Sequence, residues 1–197
     1  SHVIAIAGKG GVGKTTLSGL LIQAMCKLGK TPILAVDADA NSNLNEVLGV
    51  DVEMTLGEVR EQIERAETSS QNPIPSGMSK ADYAEIMFQH CLNEDDDFDL
   101  LVMGRTQGKG CYCYVNGILQ AQMQKLLPHY QYMIVDNEAG MEHISRGILP
   151  KVDTLILVSD CSRRGVQAAG RIAQLAKECN LNPSTMGLIV NRAPGGK

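Results

Sequence analysis

The sequence has no long apolar segment and no leader-like start. Its longest apolar runs, residues 3–7 and 154–158, are only as long as strands. A helix that crosses a membrane needs about 20 predominantly apolar residues, so no membrane segment is predicted. A secretory signal needs a cationic region followed by an apolar stretch. Neither opens this chain, and the cytoplasm is therefore the expected location.

The chain also has no excess of basic residues. Eighteen Lys and Arg residues stand against 22 Asp and Glu residues, which leaves a formal net charge of −4. Nucleic acid backbones are bound by clustered Lys and Arg, so this balance argues against a nucleic-acid partner. Six cysteines in a chain without an export signal indicate thiols or metal ligands rather than a disulfide framework.

The remaining pattern is typical of one α/β domain covering residues 1–197, with no internal repeat and no low-complexity segment. Continuous apolar runs alternate with helical patterns, which predicts a mostly parallel central sheet with helices on both faces. Helices are predicted for residues 14–28 and 165–179, from Thr55, from Ser79 to near His90, and up to Leu127. The predicted strands are 3–7, 32–36, 99–103, 132–135, 155–158 and 188–190. Because the chain stops just after the last of these, we expect the C-terminal strand and helix of such a domain to be missing.

Residues 8–15 match the phosphate-loop pattern GxxxxGK[ST] in full, between a predicted strand and a predicted helix. The glycines let backbone N–H groups surround phosphate oxygens, and the helix points its positive end at the same anion. Lys14 is expected to reach the β- and γ-phosphates, Thr15 to ligate Mg²⁺ and Thr16 to contact the α-phosphate. Asn191 ends the last predicted strand, where it either contacts adenine or is a simple turn residue. The predicted residues for ATP or ADP are Gly8, Lys9, Gly10, Gly11, Val12, Gly13, Lys14, Thr15, Thr16 and Asn191.

Three carboxylates follow predicted strands. Asp136 has the position of a Walker-B aspartate, which holds Mg²⁺ directly or through water. Asp37 is predicted as a further Mg²⁺ ligand, and Asp39 as the group that orients the attacking water. Each residue alone is most simply a solvated aspartate at the end of a strand. Three of them at the edge where α/β sheets bind ligands favour a functional role.

Lys9 lies outside the generic phosphate-loop motif. The stretch Lys9-Gly10-Gly11-Val12-Gly13-Lys14-Thr15-Thr16 resembles the deviant Walker A motif of the MinD/ParA/nitrogenase-iron-protein class of P-loop NTPases. In that class the additional lysine reaches the nucleotide of the partner subunit. The resemblance therefore implies a homodimer in the ATP state, and an ATPase with Lys9, Lys14 and Asp39 as catalytic residues. It continues through residues 36–39 as switch I and 136–140 as switch II.

A finer resemblance lies in residues 103–116, which contain Cys111 and Cys113, and in residues 138–147. Both segments are similar to CooC-type ATPases, which mature the nickel enzymes carbon monoxide dehydrogenase and acetyl-CoA synthase. This resemblance implies an ATP-hydrolysing metallochaperone that couples its nucleotide state to nickel delivery, with one of these two enzymes as its client.

The chemistry of the two cysteines is compatible with a shared metal site. In an extended segment, Cys111 and Cys113 would point to the same side. A closed Zn²⁺ or square-planar Ni²⁺ site takes four donors, and a two-fold dimer would supply the second pair. Nearby Arg105 and Lys109 would favour the thiolate forms. A lone Cys-x-Cys pair is more simply two incidental thiols, and the flanking resemblance favours Ni²⁺ or Zn²⁺ across the dimer. The other cysteines are expected to be small core residues: Cys26, Cys91, Cys161 and Cys179.

Two other functions remain open. One is a spatial regulator resembling MinD or ParA, which has no metal chemistry and would need a membrane-targeting helix or a basic DNA-binding face. The other is an iron–sulfur ATPase resembling the nitrogenase iron protein. That family bridges its cluster with cysteines far apart in sequence, one of them following switch II. No cysteine lies between Asp136 and Pro150 here, and the Cys-x-Cys spacing departs from that pattern.

Overall fold

The computed structural model describes residues 1–39, 41, 43–68, 72–105, 113–138 and 151–195, without the side chains of 67, 68 and 113–116. Seven strands form one sheet: β1 (His2–Gly8), β2 (Ile33–Ala38), β3 (Leu92–Glu94), β4 (Phe98–Val102), β5 (Tyr132–Asn137), β6 (Thr154–Asp160) and β7 (Thr185–Asn191). The helices are α1 (Lys14–Lys27), α2 (Leu44–Leu48), α3 (Leu56–Thr68), α4 (Lys80–His90), α5 (Cys113–Leu126) and α6 (Arg163–Glu178). A short 3-10 helix, Leu127–His129, follows α5.

The strand order is β3-β4-β2-β5-β1-β6-β7. Every neighbouring pair is parallel except β3 and β4, which are antiparallel. The predicted mostly parallel α/β sheet is therefore confirmed. The order places β5 between β1 and β2, although β5 comes much later in the chain. The carboxyl ends of these three central strands consequently lie side by side.

Each face of the sheet has its own apolar layer. On one face, Ile6, Ile134 and Val158 pack with Ile22 and Met25 of α1. On the other face, alternate strand residues pack against α3, α4, α5 and α6. The central strands are buried on both faces, which explains why they read as continuous apolar runs. None of the helices in the described ranges is both long and apolar enough to cross a membrane.

Two helix starts are capped as the sequence predicts. The Ser79 hydroxyl accepts a hydrogen bond from the Asp82 N–H at 3.1 Å before α4. Before α3, the Thr55 N–H donates to Glu58 Oε2 at 2.7 Å, and the Glu58 N–H donates to Thr55 Oγ1 at 3.3 Å. This reciprocal pair is the capping box expected from the Thr-x-x-Glu spacing.

Two short elements, β3 and α2, are not predicted from the sequence. Strand β3 forms by antiparallel pairing with β4 at the start of the acidic segment 93–97, where no strand is predicted. Asn93 fixes it, since its Nδ2 donates to the carbonyl oxygens of Cys91 (3.0 Å) and Leu100 (3.1 Å). Helix α2 has five residues, and Gly49 with a φ of 75° ends it. Both elements depend on contacts with distant parts of the chain, which local patterns do not record.

Two expectations about cysteines need correction. Cys161 is exposed after β6 rather than part of the core, whereas Cys91 is buried as expected and Cys26 and Cys179 are half-buried. The backbone of Cys113 begins α5, so the extended conformation expected for the Cys-x-Cys segment does not hold at this residue. The residues that follow it include Leu, Gln, Ala and Met, which favour a helix and extend it back to this point.

Candidate nucleotide-binding site

The glycines between β1 and α1 leave the start of the helix open to a ligand. Gly13 is the N-cap residue of α1 with a φ of 95°, and no side chain caps this helix. The first turn also contains no acidic residue. A helix start with uncapped N–H groups favours a bound anion. This geometry fits a phosphate group at residues 8–15.

Two of these glycines are also required by close packing. A Cβ atom at Gly8 would collide with the carbonyl oxygen of Val158 on the neighbouring strand β6. A Cβ atom at Gly13 would lie 2.5 Å from Nδ2 of Asn191 at the end of β7. That amide donates a hydrogen bond to the carbonyl oxygen of Val12 at 2.9 Å. Asn191 therefore joins the end of β7 to the phosphate loop, and its proposed contact with adenine stays a prediction.

The two lysines of the loop have different surroundings. Lys14 is only 7% exposed, and its Nζ donates to the carbonyl oxygen of Lys9 at 3.4 Å. That distance is at the weak end for a hydrogen bond. The Lys9 side chain is exposed to solvent, as are Gly10, Gly11 and Thr16. The structure thus holds one lysine inside the loop and leaves the other on the surface.

Asp136 lies beneath α1 and is 1% exposed. Its Oδ1 is 3.0 Å from the hydroxyl of Ser18, which is also 3.0 Å from the Lys14 carbonyl oxygen. Burial raises the pKa of the Asp136 carboxyl to about 6, and the charge of Asp37 adds to the rise. Hydrogen bonds from Thr15 and Ser18 and the charge of Lys14 act in the opposite direction. Burial therefore outweighs the groups that favour the charged carboxylate.

Asp37 and Asp39 organise the loop after β2. Asp37 is fully buried, and its two carboxylate oxygens each accept a backbone hydrogen bond at 3.0 Å, from Asp39 and from Leu44 at the start of α2. Burial raises its pKa, while those N–H groups lower it. Asp39 is half-buried, and its Oδ1 accepts from the Asn41 N–H at 2.9 Å. Both aspartates thus shape the loop as well as contributing charge.

These groups fit a magnesium ion. Asp37 and Asp136 are directly paired residues on neighbouring strands, and the charge of Asp37 adds to the rise in the pKa of Asp136. Carboxylate and hydroxyl oxygens are ligands that Mg²⁺ prefers, and it commonly binds through one or two carboxylates together with substrate phosphates. Thr15 adds a hydroxyl that bonds to Asp136. A divalent cation here would neutralise a concentration of negative charge that the fold itself creates.

Ser18 and Asp160 also lie at this site, although neither residue is predicted there from the sequence. Ser18 follows Lys14 by one helical turn, which was the available signal. Asp160 ends β6 beside the phosphate loop, and like Asp136 it follows an apolar strand. Hydrogen bonds from Ser162 lower the pKa of Asp160, and the nearby charges of Lys9 and Arg192 act in the same direction. The exposed Lys9 is therefore a positive charge near the Asp160 carboxylate of the same chain.

The predicted cysteine site falls largely outside the described residues. Cys111 is not described, and of Cys113 only the backbone is described, at the start of α5. Within the described part of the chain, no group of three or more His, Cys, Asp and Glu residues is arranged to hold a metal ion. Ni²⁺ or Zn²⁺ at this pair therefore stays a prediction.

Comparison with known proteins assigns the chain to a family. The AAA domain family matches residues 1–185. The chain belongs to this family, in its MinD/ParA branch of P-loop NTPases. An uncharacterized ATP-binding protein of Methanocaldococcus jannaschii is 43% identical over 190 residues, which are 96% of this chain and 74% of that protein. The carbon monoxide dehydrogenase accessory protein CooC of Rhodospirillum rubrum is 32% identical over 214 residues, covering 96% of this chain and 79% of CooC.

The solved structures agree on the fold of this MinD/ParA-type protein. The septum site-determining protein MinD of Pyrococcus horikoshii, in complex with Mg-ADP, superposes with a TM-score of 0.66 at 21% identity. The match covers 100% of this chain and 72% of that one. The family accounts for the phosphate loop and for the ATP-binding function. The relatives of this chain include a carbon monoxide dehydrogenase accessory protein and septum site-determining proteins.

Proposed function

We propose that this protein is an ATP-hydrolysing homodimer that couples its nucleotide state to nickel delivery into carbon monoxide dehydrogenase or acetyl-CoA synthase. The observation that carries the nucleotide part is the pair of buried carboxylates, Asp37 and Asp136, beside the uncapped start of α1. The nickel part is supported by the 32% identity with CooC and by the Cys-x-Cys pair.

In this proposal each residue of the site has a separate task. Backbone N–H groups of the phosphate loop and the Nζ of Lys14 bind the phosphates, and Thr15, Asp37 and Asp136 hold Mg²⁺ directly or through water. The bound Mg²⁺ neutralises charge on the phosphate oxygens. Asp39 lies on the loop that Asp37 organises, and it orients the attacking water.

The dimer part of the proposal concerns Lys9. Its side chain is exposed beside the loop rather than folded into it. An exposed lysine at this position can reach a nucleotide in a second subunit across an isologous interface. Asp160 is a nearby negative charge of the same chain. ATP binding would then move Lys9 from its own subunit's aspartate to the partner's phosphates.

The metal part concerns Cys111 and Cys113, which would supply two thiolates per chain. Closure of the dimer would bring four thiolates together. Metal binding would then be coupled to nucleotide binding through the same interface. The cysteine pair of one chain supplies only two of the donors that a four-coordinate ion needs. The proposal therefore requires nickel binding and dimer formation to depend on each other.

The test is nickel binding and particle size, measured together with and without Mg·ATP on wild type and a Cys111→Ser, Cys113→Ser double variant. We expect about one Ni²⁺ per two chains in the wild-type dimer, since a closed site takes four donors. The double variant should still bind ATP but lose nickel. Cys161→Ser, which removes an exposed cysteine of the described part, is the matched control and should bind nickel normally. Equal nickel affinity in the wild type and the double variant would exclude the metallochaperone function.

A spatial regulator without metal chemistry is the second candidate, and the likeness to MinD favours it. Co-sedimentation with liposomes or DNA in the presence of Mg·ATP distinguishes the two. Binding to either surface, together with unchanged nickel affinity in the double variant, would favour the regulator. The iron–sulfur alternative predicts visible absorption after anaerobic purification, and a colourless protein would argue against it.

A further inference from the structure

The side chain of Asn137 leaves one polar atom unpaired inside the protein. Asn137 ends β5 directly after Asp136, and it is 1% exposed. Within the described ranges, its Oδ1 is a fully buried side-chain oxygen without a hydrogen-bond partner. An acceptor that is buried without a donor destabilises the state that contains it. Such an atom in a native protein therefore needs a physical explanation.

The other half of the same amide is fully used. Its Nδ2 donates to the carbonyl oxygen of Ile6 on β1 at 3.1 Å and lies 3.4 Å from the carbonyl oxygen of Val135. The pairing of β1 with β5 ends at Ile6 and Asp136. The side chain thus adds one cross-strand bond just beyond the end of the ladder. Rotating the amide would place Oδ1 against these two carbonyl oxygens, so the bonding pattern fixes its orientation.

This bond lies next to the residues that would hold Mg·ATP. Successive side chains of a strand point to opposite faces, so Asp136 faces α1 while Asn137 faces the opposite layer. The strand β1 continues directly into the phosphate loop at Gly8. Asn137 therefore ties the backbone that carries the magnesium carboxylate to the backbone that carries the phosphate loop.

We propose that Asn137 is a positioning residue that acts through Asp136, and that its unpaired Oδ1 accepts an N–H or O–H donor in the Mg·ATP-bound state. Mg²⁺ held by the Asp136 carboxylate would shift the position of Asp136. Because Asn137 is the next residue, the peptide bond would pass this shift to Asn137. The unpaired acceptor raises the free energy of the nucleotide-free state, and its pairing favours the bound state. This inference rests on the Mg·ATP-binding part of the proposed function and requires neither nickel nor the dimer.

Asn93 provides a matched control, because it is a second buried asparagine in the same sheet. It is 9% exposed, and all of its amide functions are used. Its Nδ2 donates to two carbonyl oxygens, and its Oδ1 accepts from the Glu53 N–H at 3.2 Å. It lies on β3 at the far edge of the sheet, away from the phosphate loop. The two residues differ in whether the carbonyl oxygen is satisfied and in their distance from the site.

The experiment compares Asn137→Leu, Asn137→Ala and Asn93→Leu with wild type. For each protein, the melting temperature and the ATP affinity are measured with Mg²⁺ and with the metal chelated. Asn137→Leu should lower the nucleotide-free melting temperature less than Asn93→Leu, because it removes an unsatisfied acceptor together with the donor. With Mg²⁺ we expect it to bind ATP about tenfold more weakly, as the loss of one hydrogen bond to a buried acceptor predicts. Without Mg²⁺, it should match wild type.

Three results would overturn the inference. One is equal Mg·ATP affinity in Asn137→Leu and wild type, which would make Asn137 a structural residue or one satisfied permanently by buried water. Another is equal weakening with and without Mg²⁺, which would show that the residue acts on the phosphate loop and not through Asp136. The last is failure of both Asn137 variants to fold without nucleotide while Asn93→Leu folds. Loss of nickel binding in the cysteine variant is measured separately, so the two proposals fail independently.

Discussion

The centre of the sheet and its β3–β4 edge both bury polar side chains, but they satisfy them differently. At the edge, Asn93 uses every group of its amide, and the hydroxyl of Tyr130 donates to Asp99. At the centre, two buried aspartates lie side by side on β2 and β5, and Asn137 has an unpaired side-chain oxygen. Lys14 there makes one long bond to a carbonyl oxygen.

This difference separates structural polarity from functional polarity. A buried polar group that is fully paired stabilises one conformation. A group that lacks a partner costs free energy until a ligand supplies one. The edge groups are therefore paired without a ligand, whereas the central strand ends leave buried negative charge and one unpaired acceptor, as the proposed Mg·ATP site requires.

The largest expected effect comes from removing the positive charge at the centre. Lys14→Ala should weaken ATP binding on the order of a hundredfold or more, since charge-assisted bonds to two phosphates are lost. The stability of the nucleotide-free protein should change little, because the present bond is weak. Titration with a fluorescent ATP analogue and urea unfolding measure the two quantities. A large loss of stability with retained ATP binding would mean that Lys14 is a structural residue.

Asp136, at the centre of the sheet, should make the free energy of unfolding depend on pH. Its folded pKa is about 6 against an ordinary value of 3.8, so the folded protein binds the proton more tightly than the unfolded chain. This contribution to the free energy of unfolding is fully present below about pH 4 and lost as the pH rises through about 6, amounting to about 3 kcal/mol at most. Asp136→Asn should lack that part of the pH dependence and be more stable at neutral pH, yet lose Mg²⁺-dependent hydrolysis.

Urea unfolding across this pH range, with and without Mg·ATP, tests the prediction for Asp136. The nucleotide with its cation should remove most of the pH dependence in the wild type, because it supplies the missing positive charge. If Asp136→Asn keeps the wild-type pH profile, the proton is bound elsewhere and the central carboxylates are not the cause.

The smallest effect is expected at the edge. Tyr130→Phe should lower the free energy of unfolding by about 1–2 kcal/mol, because Asp99 loses a hydrogen-bond donor. Burial and the bond to Asp99 raise the pKa of the Tyr130 hydroxyl, which keeps it protonated as a donor. Calorimetry should show ATP affinity equal to that of the wild type. A change in ATP affinity would show that the edge is connected to the site and is not purely structural.

Much of the site could be predicted because its signals are local. The phosphate loop depends on glycines and a lysine that are contiguous in the chain, and the capping residues Thr55 and Ser79 act within one helical turn. Asp136 follows an apolar strand that is itself a local pattern. The Cys-x-Cys pair is local too, and Ni²⁺ or Zn²⁺ binding by it stays a prediction.

Other features escaped prediction because they depend on residues brought together from afar. The three-residue strand β3 exists through its pairing with β4, and α2 starts where Asp37 accepts the Leu44 N–H. The sequence placed Asn191 near a nucleotide but not its bond to the Val12 carbonyl oxygen. Cys161 was expected to be a core residue, yet it is exposed directly after β6.

The sequence by itself determined the α/β class, the phosphate loop and the strand-end aspartates, since each follows from the chemistry and spacing of neighbouring residues. Only the tertiary structure decided that β5 lies between β1 and β2. That order sets Asp136 opposite Asp37 and joins Asn137 to the strand of the phosphate loop. Burial then raises the carboxyl pKa and leaves one acceptor unpaired, because desolvation is a property of the packed sheet and not of any segment within it.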